Sequence, residues 1–217
     1  MNEENGHVNE QNNHQSEGPC CCKLPSSFDK EAILAKLKSI SERAMAVLTN
    51  PAAIWTTIRE EQVSIKDVYM NYLIFMAAIP AVCEFVGGLF KGVPFFSSLI
   101  GHAVLYLLGL AGIWLTAIIL EKLAVQFEGS AEFDNTFKLV AYSLTPFYVA
   151  GFLALVQVPF FAVLRALLSL YGAFILFKGI GEMTSVPAEK QNLYYLFSLL
   201  TPVVILAILV TVSWSFI

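Results

Sequence analysis

The chain has 217 residues, 57% of them hydrophobic and 14% charged, with a mean hydropathy of +0.66. Soluble domains run at about 45–50% apolar and about 25% charged, so an ordinary water-exposed fold is excluded, and a net charge of −4 leaves no basic face for a nucleic acid. Residues 1–67 hold 17 of the 30 charged side chains, while residues 68–217 hold 13 across 150 positions. The composition is that of a polar head joined to a membrane domain.

Residues 1–25 are rich in Asn, Gln, Glu and Gly and have little apolar surface. Such a tail cannot offset the entropy of ordering, so disorder is expected. It contains Cys20, Cys21 and Cys22 followed by Lys23. Consecutive cysteines make a poor disulfide framework. His7 and His14 lack zinc-ligand spacing, so no metal is expected. The run reads as part of a solvated tail, with thioacylation at a membrane surface as its alternative.

Residues 26–67 form the cytoplasmic head. Ile33, Leu37, Ile40, Ala44 and Val47 recur every three or four positions, with Lys36, Lys38 and Arg43 elsewhere, which predicts an amphipathic helix. Asn50-Pro51 opens a shorter second helix containing Ile54, Trp55 and Ile58. Trp55 is placed in the headgroup layer as an interfacial anchor. The pair either lies flat on the inner leaflet or packs against the protein's own loops or a partner. Ser64 and Asp67 form a capping box for the first span.

Residues 68–217 form the membrane domain, with five apolar windows at 68–90, 95–120, 137–156, 159–178 and 193–216. Each is long enough to cross a hydrocarbon core of about 30 Å as a helix, and continuous rather than alternating apolarity argues against a barrel. The fold class is therefore an all-α integral membrane protein with five transmembrane helices. With the amino terminus inside, the cytoplasmic segments and span edges contain Arg59, Lys66, Lys122, Lys138, Lys178 and Lys190, against Lys91 alone outside. That bias predicts a cytoplasmic amino terminus and an external carboxyl terminus. No signal-peptide pattern precedes the first span, which is expected to act as its own targeting signal.

Glu84, His102 and Arg165 are ionisable residues inside the spans, each about 9–11 Å below the outer surface by helical rise. A lone charge at such depth is costly, so a Glu84–Arg165 pair with His102 beside it is expected. Such a node serves either as an interhelical tie, with Arg165 alternatively snorkelling to headgroups, or in ion or proton movement. Thr145-Pro146 and Thr201-Pro202 lie at similar depth in the third and fifth spans, and Pro80 lies near the middle of the first. These prolines free the carbonyls of Tyr142, Ser198 and Met76, which either coordinate an ion or are satisfied by neighbouring helices and hydroxyls. Cys83 is read as a small packing residue.

Phosphate loops, zinc-protease motifs and the Gly-x-Ser-x-Gly elbow are absent from the sequence, so neither an enzyme nor a cofactor is expected. The order and spacing of Asn50-Pro51, Trp55, Ile58, Ala141-Tyr142-Ser143-Leu144-Thr145-Pro146, Pro159, Leu170-Tyr171-Gly172 and Phe177-Lys178-Gly179 resemble the Yip domain family, named for interaction with Ypt/Rab GTPases. The resemblance covers residues 49–217 and implies five spans with a cytosolic amino terminus. Eukaryotic members bind prenylated Rab GTPases in trafficking and have an Asp-Leu-Tyr-Gly-Pro-type motif before the spans. Arg59 to Asp67 lacks that motif here, so the chain is more similar to the prokaryotic branch. A Rab-type GTPase is a partner only in a eukaryotic host. The expected partners are the bilayer and other membrane proteins or a second copy. The expected role is that of a non-catalytic organising or trafficking-type adaptor in a bacterial plasma membrane rather than in endoplasmic reticulum or Golgi. The alternative is a small permease or channel component using the Glu84/His102/Arg165 node.

Overall fold

The computed structural model describes residues 30–61 and 63–214, with side chains through residue 211. Residues 1–25 with their cysteine run, and the start of the predicted amphipathic segment, lie outside the described residues. The regular elements among the described residues are all helical.

The head consists of α1 (Lys30–Thr49) and α2 (Pro51–Glu60). Between them the Asn50 side chain accepts a hydrogen bond from the Ala53 N–H at 3.4 Å, and Pro51 occupies a first-turn site where its missing N–H costs nothing. Ile40, Ala44 and Val47 of α1 are buried, whereas Ile33, Leu34 and Leu37 in its first half are exposed. α2 packs on the fourth span, and α1 reaches the first and third spans.

Among the described residues, five helices are long and apolar enough to cross a membrane: Ile65–Phe90, Phe95–Gln126, Phe133–Leu155, Pro159–Thr184 and Ala188–Thr211. Their bounds differ from the apolar windows because backbone hydrogen bonding continues past the hydrocarbon edge. Ser64 caps the first span four residues before Val68, its Oγ accepting the Asp67 N–H at 3.2 Å. The second span continues through Glu121 and Lys122 to Gln126. The first span contains a π-helical turn at Tyr69–Leu73. The third span is in three pieces, α-helical over Phe133–Ser143 and Thr145–Ala150 and then a 3-10 turn over Gly151–Leu155, because Pro146 supplies no N–H to the ladder.

This broken third span is the centre of the bundle, packed by the first, second and fourth. Within the protein, 67% of its membrane-crossing stretch is buried, against 17–33% for the others. The fifth span packs chiefly on the second. At Gly151 the third span approaches so closely that a Cβ would lie 2.8 Å from Pro80 of the first. The end bearing α1 and α2 is called the head end below, and the opposite one the far end.

Candidate functional site

Two clefts flank the bundle, one at each end. The head-end cleft, about 420 Å³, lies between α1 and the starts of the first and third spans and is lined by Glu42, Arg43, Asp67, Asn71, Tyr72 and Tyr142 among others. The π-turn contributes Asn71 and Tyr72 to its wall. Such extra-residue turns widen a helix locally and re-aim side chains. Arg43 pairs with Glu61 and lies over the Tyr142 ring, 5.8 Å from its centroid. Burial is the largest influence and works against the Arg43 charge, but the Glu61 hydrogen bond and the electrostatic interactions with Tyr142, Glu61 and Tyr72 together outweigh it, and the net shift is upward. Lys138 donates to the Glu61 carbonyl at 3.3 Å, which ties the third span into the same corner.

Trp55 corrects the interfacial expectation. Its side chain is fully buried, and its indole N–H donates to the Ile175 carbonyl at 3.1 Å. A Cβ at Gly179 would lie 2.6 Å from the ring, so the absence of a side chain there lets α2 dock against the fourth span. Indole burial with a satisfied N–H outweighs a place among headgroups.

At the far end, the first, second and fourth spans and the end of the third surround a cleft of about 630 Å³. The structure brings Glu84, His102 and Arg165 together there. Arg165 Nη1 donates to Glu84 Oε1 at 2.5 Å, with each side chain about one-third exposed. His102 Nδ1 lies 2.7 Å from the Ser98 carbonyl. A carbonyl only accepts, so Nδ1 is the donor in that contact. Gln157 Nε2 donates to the Glu84 carbonyl at 3.2 Å, and Lys91 stands at the rim. Gln157, Lys91 and the head-end Arg43 escaped sequence reasoning: the first two lie in short turns, and Arg43 reads as one more polar-face charge.

The proline sites differ among themselves. Thr145 Oγ1 donates to the Tyr142 carbonyl at 2.6 Å, which supplies the partner that Pro146 removes. That hydroxyl therefore accepts from Tyr72 OH, 2.7 Å away. Tyr142 also packs against Tyr72, ring centroids 4.9 Å apart. Thr201 donates instead to Phe197 at 2.8 Å, not to the Ser198 carbonyl that Pro202 frees. Pro80 is buried against Gly151. Among the described residues no cluster of His, Cys, Asp and Glu could hold a metal ion.

Five apolar helices among the described residues, the third of them broken and central, together with a polar head define a helical multi-pass membrane protein. Residues 45–212 match the Yip1 domain family, and the chain belongs to that family. It is similar to the "Inner membrane protein YohC" of Escherichia coli, in both strain K12 and strain O6:H1. Each is 21% identical over 178 residues, covering 77% of this chain and 91% of the relative. No solved structure matches. The family match begins inside α1, after Arg43, and takes in α2, the far-end cleft and nearly all of the fifth span.

Proposed function

We propose that this Yip1-domain protein is a non-catalytic organiser of its membrane, acting through α1 as a wedge in the leaflet at the head end. One observation supports this above the others: Lys36 Nζ lies 4.6 Å from the centroid of the Phe75 ring, and Phe75 belongs to the first span. Phe75 is about 15 Å along that span from Ile65 by helical rise. The same depth follows from the contact of α1 with Thr145–Ala150 in the third span. Ile33, Leu34 and Leu37, exposed on the same half of α1, would then face the acyl chains of that leaflet, where an apolar helix face spreads it. The basic bias of the head-end segments favours the cytoplasmic leaflet. A bacterial inner membrane agrees with the printed name of the E. coli relatives. Other membrane proteins, or a second copy, are the partners such an organiser would gather.

The test is full-length protein reconstituted at rising protein-to-lipid ratio, with vesicle size measured by cryo-microscopy. Wild type should give smaller vesicles, and Leu34→Glu with Leu37→Glu should abolish the effect without loss of folding. Unchanged vesicle size for both would sink the wedge. The permease reading draws support from the far-end cleft, which Glu84, Lys91, His102 and Arg165 line. A pH-dependent flux lost in Glu84→Gln would replace the wedge reading with it.

A further inference from the structure

The far-end cleft has a chemistry that the head helix does not use. Glu84 and Arg165 neutralise each other, yet only Nη1 of the guanidinium is committed to the carboxylate. An arginine has five donors in a planar fork, so several stay available to a second oxyanion. Lys91 lines the same cleft, is exposed, and has no ion-pair partner among the described residues. The cleft therefore has one positive charge in excess. Ser97, Ser98 and His102 add polar groups to its wall. This donor-rich, singly cationic set is complementary to a phosphate group.

The remaining walls say what the phosphate is attached to. Val93, Val156, Val158 and Phe161 are apolar, and the second and fourth spans flank the cleft without packing extensively on each other. It is therefore open sideways, towards acyl chains. Phe90, Phe96 and Phe160 are 83%, 76% and 70% exposed around the same end, the level at which aromatic side chains meet headgroups. Lys91 follows Phe90 directly, so its ammonium stands at headgroup level with the Glu84–Arg165 pair one to two turns beneath.

We infer that this cleft is a binding site for a phosphate group, held between Lys91 and the free edge of Arg165 and presented by a phospholipid of the far-end leaflet. Glu84 is a positioning residue that fixes the guanidinium plane. The site is independent of α1 and of the wedge reading.

The experiment uses full-length protein in a neutral detergent, with thermal unfolding followed as ligand is titrated. One arm adds phosphatidylglycerol, a second adds diacylglycerol of the same chains, and a third adds inorganic phosphate. Phosphatidylglycerol should raise the melting temperature while diacylglycerol does not, and Lys91→Gln should weaken the apparent affinity about tenfold, the value of one charge-assisted contact. Arg165→Gln should abolish the response. If that variant does not fold, Lys91→Glu, altered only at the exposed rim, takes its place. An equal shift with inorganic phosphate alone would keep the phosphate site but assign it a free anion. Equal stabilisation by phosphatidylglycerol and diacylglycerol, or indifference to both Lys91 substitutions, would overturn the inference.

Discussion

At the head end, Trp55 fills the space between α2 and the fourth span, and Tyr72 and Tyr142 wall the smaller cleft with a hydroxyl or ring on protein partners. At the far end, the first, second and fourth spans leave a cleft open around a charged pair. Both ends contain an arginine–glutamate pair, but in different settings. Arg43–Glu61 closes a corner under α1 and is further fixed by Tyr142 and Lys138. Arg165–Glu84 faces a cavity with unused donors. Both arginines border a cleft, but Arg43 is already engaged by Glu61 and the Tyr142 ring, whereas Arg165 has only Nη1 committed and keeps donors for a ligand.

The contrast is open to direct attack. Its largest expected consequence is at Trp55: replacement by Ala removes a fully buried ring and its hydrogen bond, at about 3–5 kcal/mol. Thermal unfolding in lipid nanodiscs should show the steepest drop for this variant. A smaller drop than for any far-end substitution would reverse the assignment of rigidity. Next comes the far-end pair. Glu84→Gln and Arg165→Gln singly should each cost more than half of what the double variant costs, with a coupling of about 1–2 kcal/mol, between the exposed and buried limits. Additive losses in that double-mutant cycle would mean that the two charges do not sense each other. The smallest effect is expected at Tyr72→Phe. It removes one donor to Thr145 and should lower stability by about 1 kcal/mol while leaving the Thr145–Tyr142 contact in place. A far larger loss would show that the Tyr72 hydroxyl supports the π-turn as well.

The pairing of Glu84 with Arg165 was legible in the sequence because the membrane supplies a ruler: each residue's distance from its span end fixes its depth, and charges at one depth seek each other. The break at Pro146 was legible for a local reason, a missing N–H. Trp55 was misplaced because the feature that decides its fate, Gly179, lies over a hundred residues away and resembles any other small residue in an apolar run. The π-turn at Tyr69–Leu73 leaves no compositional trace. The cation over Tyr142 was equally hidden, since an amphipathic pattern says which side of α1 is polar but not what that side meets. Local chemistry and depth were readable; contacts between helices distant in sequence were not.

The central third span has a consequence for how the chain is made. It is the least apolar of the five, it includes the buried Lys138, and two-thirds of its crossing stretch contacts protein rather than lipid. A segment of that kind partitions poorly into a bilayer by itself. During synthesis it should linger beside the insertion machinery until the first two spans form one wall and the fourth emerges to form another. Chains cut before Pro159 and held on the ribosome through a long polar linker should therefore leave the third span accessible to aqueous thiol reagents at an introduced cysteine, and chains that include the fourth span ahead of the same linker should protect it.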